Sequence, residues 1–145
     1  MTNKTQKQVT GTLGEDLACR FLMKHGFEIV ERNYWQKCGE IDIIAKNKGI
    51  LHFIEVKSVS CACPSNYSDS LNMGNSKNVS CENDNYRPED NLHTWKLERL
   101  SKTIQVYLNN KSVSDETNWK FDVVTVYIDT ENKVSRVNFL ENIIL

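Results

Sequence analysis

Residues 40–59 read EIDIIAKNKGILHFIEVKSV, and this stretch decides the fold. Two apolar runs, Glu40–Lys46 and Leu51–Val59, flank Asn47-Lys48-Gly49-Ile50, a good hairpin loop, so the stretch reads as two antiparallel strands. With those four residues as the loop, Lys46 faces Leu51, Ile44 faces Phe53, Asp42 faces Glu55 and Glu40 faces Lys57. The other face then pairs Ala45 with His52, Ile43 with Ile54 and Ile41 with Val56, and must be core. A one-residue slip would mix the two faces, so the pattern supports this register.

The register has a chemical consequence. Asp42 and Glu55 stand opposite each other, and like charges in that position are destabilising. Either one carboxyl keeps its proton or a cation sits between them. Two acidic groups and a nearby carbonyl suit a hard, oxygen-seeking ion such as Mg²⁺, which would polarise a phosphoryl oxygen. Lys57, on the same side as Glu55, can hold or deprotonate a water that attacks phosphorus, or neutralise transition-state charge. The same pattern also admits a plain Glu40–Lys57 ion pair with a solvated Asp42, and spacing alone does not choose between the two.

Upstream, residues 1–10 read as a flexible polar tail. Gly11–His25 reads as a helix with Leu13, Leu17, Ala18, Phe21 and Leu22 as its apolar stripe, stopped by Gly26. Phe27–Tyr34 reads as a strand with Phe27, Ile29 and Glu31 on one side. Glu15 lies at the edge of the helix stripe, next to Leu22. On the wheel alone, a solvated first-turn Glu favoured by the helix dipole is the simpler reading.

Downstream, Cys61–Asn85 is rich in Asn and Ser and nearly free of large apolar residues, so residues 61–85 are expected to be a polar, mobile insertion. Leu92–Leu108 reads as a helix with Leu97, Leu100, Ile104, Tyr107 and Leu108 as its stripe. Trp119–Ile128 and Lys133–Leu140 read as strands. The expected order is αβββαββ, an α/β domain spanning 1–145 with a mixed central sheet flanked by helices. The helical crossover makes the Trp119 strand parallel to the Leu51 strand. Lys96, Arg99 and Lys102 recur every three residues on the second helix, either as a solvated face or as a phosphate-contacting ridge.

Bulk properties bound these readings. The 145 residues, 39% hydrophobic and 26% charged, suit one globular domain. No apolar run approaches a membrane span and the N-terminus lacks a signal-peptide stretch, so a cytoplasmic protein is expected. The net charge of −1 gives no bulk support to nucleic-acid binding, which would need a local basic patch or a bound cation. Five cysteines, an odd number, fit reduced thiols. Cys61-x-Cys63 with a lone Cys81, and Cys38 near the hairpin, do not form the usual paired zinc hooks. His25, His52 and His93 form no ligand pattern, and His52 falls on the core side of the hairpin. Trp35, Trp95 and Trp119 read equally as core or base-stacking residues.

The segments GTLGEDLACRFLMKHGFEIVERNY, GEIDIIAK and HFIEVKSV resemble the YraN-like family, a bacterial family related to PD-(D/E)xK nucleases and similar to archaeal Holliday-junction resolvases. RPEDNLHTWKLERLSKTIQVYL and FDVVTVY resemble that family's second helix and following strand. The resemblance implies a restriction-endonuclease-like core and a Mg²⁺- or Mn²⁺-dependent endonuclease acting on DNA, in branched or single-stranded form. By this resemblance Asp42 matches the motif aspartate, Glu55 and Lys57 the E-x-K pair, and Glu15 the helix-one glutamate. Asp42, Glu55 and Glu15 would then be metal ligands, and Lys57 would serve the attacking water. Resolvase-like enzymes act as homodimers on symmetric substrates. Cys38 departs from the pattern, standing where the family tends to have glycine. The alternative is a non-catalytic nucleic-acid or protein interaction module that keeps the fold.

Overall fold

The computed structural model describes residues 5–60, 94–129 and 134–143. The elements run α1 (Gln6–Lys24), β1 (Glu28–Gln36), β2 (Gly39–Asn47), β3 (Ile50–Ser60), α2 (Thr94–Asn110), β4 (Trp119–Asp129) and β5 (Val134–Leu140). The chain is α/β, in the expected αβββαββ order. The segment Cys61–Asn85 and His93 lie outside the described residues.

Helix α1 starts earlier than expected. The Thr5 hydroxyl accepts the Gln8 N–H while the Gln8 side chain accepts the Thr5 N–H, a reciprocal capping box that opens the helix at Gln6 rather than Gly11. Such a cap stabilises a helix by about 1 kcal/mol. Residues 5–10 are therefore cap and helix, not tail. Glu15 sits well inside the helix, so a helix-dipole explanation for it no longer applies. At the other end Gly26, with φ +86, turns the chain out of the helix, and the Phe27 N–H closes back on the Leu22 carbonyl.

The sheet has five strands in the order β1-β2-β3-β4-β5. All neighbours are antiparallel except β3 and β4, which are parallel as the crossover requires. The hairpin register is the expected one from Ile43↔Ile54 to Lys46↔Leu51, but Asn47 also pairs with Ile50. The loop is thus the two residues Lys48-Gly49, with φ +50 and +77, the left-handed pair a tight type I′ turn needs.

Each face of the sheet carries one helix. Ala18, Phe21 and Leu22 of α1 pack on Ile43, Ile54 and Val124. Leu100, Ile104 and Tyr107 of α2 pack on Ile44, Phe53 and Phe121. Two sequence expectations change here. Leu13 is 42% exposed, and Cys19 joins the α1 core. A bulge between Ile29 and Glu31 breaks the alternation of β1. Glu31 consequently acts on Tyr107 of α2 instead of sharing a face with Phe27 and Ile29.

Two glycines set how closely the helices approach. A Cβ at Gly14 would lie 1.7 Å from Ser58 Oγ and 2.9 Å from Ser58 Cβ, so α1 rests on β3 backbone to side chain at that point. A Cβ at Gly39 would lie 2.8 Å from Thr103 Oγ1, which seats α2 against the start of β2. Among the described residues no helix is long and apolar enough to cross a membrane.

Candidate active site

The site forms where the β2–β3 ladder opens. The ladder ends at Ile43↔Ile54, although both strands continue. Beyond it, Asp42 Oδ2 accepts the backbone N–H of Val56 at 2.8 Å, so a side chain does the work of the next ladder bond. The expected facing pairs Asp42–Glu55, Ile41–Val56 and Glu40–Lys57 are therefore not ladder partners. Ile41 also changes sides. It packs with Tyr34 in the α2 core, while Ile43, two residues on, packs in the α1 core. In a regular strand, residues two apart share a face. On the neighbouring strand the register runs on, Arg32 pairing with Ile43 and Tyr34 with Ile41, but Asn33 between them takes φ +53. Asn33 and Asp42 thus mark one crease across two strands.

At the crease, groups from both faces of the sheet come together. The carboxyl groups of Asp42 and Glu55 come close enough there for the Glu55 charge to act on Asp42. Lys57 Nζ lies 3.8 Å from Glu55 Oε1. Lys96, from the first turn of α2, donates to the same oxygen at 2.5 Å. From the opposite side, Glu15 of α1 lies beside the Asn33 side chain and 3.8 Å from the Arg32 guanidinium, which also holds Asp16 at 2.9 Å. Arg99, one turn after Lys96, donates from Nε to the Cys38 carbonyl and lies over the Trp95 ring, 5.9 Å from its centroid. Lys102 is exposed on the next turn.

The electrostatics follow from crowding like charges in a half-closed space. Burial, then the Glu55 charge, push Asp42 up to about 8, against the pull of the Val56 N–H. Burial also raises Glu15, partly offset by Arg32 and Asn33. Lys57 is lowered, first by burial and then by the adjacent Lys96 ammonium. Burial works most strongly against Lys96, but its bond to Glu55, the Glu55 charge and the smaller effects of Lys57 and Asp42 together outweigh it and raise Lys96. The two lysines sharing Glu55 are thereby driven apart, one toward the neutral amine and one toward the firmly held cation.

Two adjoining carboxylates of which one resists ionisation are a donor set that a hard divalent ion would satisfy. Asp42 and Glu55 fit that role. Among the described residues no three His, Cys, Asp or Glu side chains converge on one metal position. Glu15 borders the pair, close enough for its charge to raise Asp42, while its own contacts run to Arg32 and Asn33.

The sequence profile of a family described as "Uncharacterised protein family UPF0102" matches residues 14–126, which take in the crease, both helix-docking glycines and all four residues around Glu55. The chain belongs to this family. A UPF0102 protein from Campylobacter jejuni subsp. doylei is 37% identical over 133 residues, covering 92% of this chain and 91% of that one. UPF0102 proteins from Caldicellulosiruptor bescii and Campylobacter lari are 32% and 36% identical, covering 94% and 89% of this chain and 96% and 93% of theirs.

In this UPF0102 chain, Asp42, Glu55 and Lys57 come together with Lys96, and Glu15 stands at their border. Arg99 and Lys102 continue along α2 without reaching Glu55. Sequence reasoning left Lys96 between a solvated face and a phosphate-contacting ridge and did not anticipate its bond to Glu55, because that contact spans 41 positions and depends on how α2 docks. It also missed Asn33. The signal there was the residue type, since Asn is among the few side chains that readily take positive φ. Cys38 is a free thiol 3.4 Å from Thr103 Oγ1, and its carbonyl holds Arg99, so it helps seat α2.

Proposed function

We propose that this UPF0102 protein is a PD-(D/E)xK-type phosphodiesterase that uses Mg²⁺ or Mn²⁺ to cleave DNA, in branched or single-stranded form. The observation that carries the reading is the convergence of Asp42, Glu55 and Lys57 at a break in the sheet, with Asp42 destabilised as an anion and Lys57 as a cation. A divalent ion held by Asp42 and Glu55, with Glu15 orienting or completing the set, would supply Lewis-acid stabilisation of the phosphoryl oxygens. Lys57 takes the proton of a water as its oxygen forms the new bond to phosphorus. One P–O ester bond breaks, the leaving alkoxide takes up a proton from solvent water, and Lys57 returns its proton to solvent. A lysine shifted toward the neutral amine suits that role. Arg99 and Lys102, beside Lys96, supply positive charge for the nucleic-acid backbone despite the net charge of −1. A homodimer suits a symmetric branched substrate, and the cytoplasm is the expected compartment.

The test is a cleavage screen over flaps, junctions, single strands and duplexes, in Mg²⁺ and Mn²⁺, beside Asp42→Ala. Cutting by wild type alone supports the nuclease. A second reading, a non-catalytic interaction module on the same fold, is favoured by the Lys96–Glu55 bond, which already neutralises one carboxylate. Binding without cutting, unchanged in Asp42→Ala, would favour it.

A further inference from the structure

We propose that Lys96 is a built-in competitor of the divalent ion: its ammonium holds the Glu55 carboxylate that would help hold the ion, so loading the site requires Lys96 to let go. This rests on the nuclease reading, and concerns how the same site is controlled. Lys96 Nζ donates to Glu55 Oε1 at 2.5 Å, and Lys57 Nζ lies 3.8 Å from the same oxygen. The other nearby carboxylate has one oxygen engaged by the Val56 N–H. A divalent ion held by Asp42 and Glu55 would meet an ammonium already in contact with the Glu55 carboxylate. Two positive centres cannot share one carboxylate oxygen at contact distance without strong repulsion.

The geometry lets Lys96 leave without unfolding anything. Its side chain is 27% exposed, it sits in the first turn of α2, and its four-carbon stem reaches solvent. Lys57 is differently placed. Its side chain is equally exposed, but its backbone is fixed in β3, paired with Thr125 of β4, two residues from Glu55 on the same strand. Ion-dependent release is therefore a property of the α2 lysine, and it couples ion binding to the freeing of a cationic side chain beside Arg99.

The test is thermal melting of the full chain over a Mg²⁺ titration, for wild type, Lys96→Met, Lys96→Gln, Lys96→Arg and Asp42→Asn. Removing the competitor should lower the Mg²⁺ concentration for half-maximal stabilisation by about tenfold in Lys96→Met and Lys96→Gln. Lys96→Arg, which keeps the charge, should stay near wild type. If one neutral variant folds poorly, the other gives the midpoint from its own baseline. Wild type responding to Mg²⁺ with both neutral variants at the same midpoint would overturn the proposal and leave the metal site standing. No Mg²⁺ response in wild type or any Lys96 variant would overturn the metal site, and this proposal with it.

Discussion

Asp42 Oδ2 accepts the Val56 backbone N–H at 2.8 Å, at the position where strand β2 stops pairing with β3 through its own carbonyls. One side chain therefore both ends the ladder and satisfies the amide that the ending exposes. An unpaired amide there would cost roughly 1–3 kcal/mol. The same bond points the Asp42 carboxyl into the gap between the strands, beside Glu55. The opening of the sheet and the location of the acidic pair share one cause.

Asp42 should make the protein less stable as pH rises. Its folded-state value is about 8 against an ordinary 3.8, so between those limits the folded chain keeps a proton that the unfolded chain has lost. The unfolded state then binds fewer protons, and stability falls with pH across that window and levels off above it. Asp42→Asn keeps an oxygen that can accept the Val56 N–H and removes the titration. Metal-free melting curves should show the variant gaining on wild type from about pH 4 to pH 8. Parallel curves would show that Asp42 ionises normally.

Lys57 and Asp42 should separate binding from chemistry. Lys57→Ala is expected to lower any cleavage rate by about 10²–10⁴-fold, the usual contribution of a positioned proton acceptor. It should leave Mg²⁺ stabilisation in place, since Lys57 donates nothing to the ion. Single-turnover cleavage beside a melting titration reads both effects. Undiminished cleavage in Lys57→Ala would remove it from the mechanism.

The closeness of α1 to β3 can be tested at Gly14. Gly14→Ala puts a methyl 1.7 Å from Ser58 Oγ, and 2.9 Å from its Cβ, so a change of rotamer alone cannot absorb it. A loss of about 1–3 kcal/mol is expected in urea unfolding. Ser58→Gly in the same chain should recover part of that loss, giving a non-additive double-mutant cycle. Additive losses would mean that the contact is not what holds the helix off.

His52 and Asp122 form a polar pair in the otherwise apolar α1 side, with His52 Nδ1 and Asp122 Oδ2 2.5 Å apart and both residues buried. The second Asp122 oxygen accepts the Asn142 N–H at 2.8 Å, tying down the chain after β5. Asp122→Ala strips a partner from buried His52 and from the Asn142 amide, and should cost about 1–3 kcal/mol in equilibrium unfolding. A loss under 1 kcal/mol would show that water replaces the carboxylate.

Much of this was legible in the residues. The strict alternation of Ile43, Ala45 and Ile54 against Ile44 and Phe53, around a Lys-Gly turn, gives the hairpin register because any slip exposes core. The Asp42–Glu55 encounter was expected from a facing ladder pair, whereas the ladder has already ended there and Asp42 takes the Val56 N–H instead. The αβββαββ order and the parallel β3–β4 pair were legible for the same reason, as periodicity and crossover length are local properties. The side-switch of Ile41 was not, because it depends on a positive φ at Asn33 on another strand. The start of α1 was missed although Thr5 and Gln8 carry the capping-box spacing; a polar stretch hid it. Lys96 was placed on the right helix, but its bond to Glu55 was not legible, since only helix docking brings the two together.

The topology also orders events in time. Val56 and Asp42 are 14 positions apart, whereas Lys96 and Glu55 are 41 apart, and β4 joins β3 only after α2 has been traversed. A hairpin forms in roughly 1–10 μs, while distant parallel pairing is slow because loop closure must come first. The β2–β3 hairpin therefore meets its acidic pair early, with Lys57 as the only lysine of the cluster already on the same hairpin. Docking of α2 then brings the second lysine, so the step that completes the core is also the step that balances the charge.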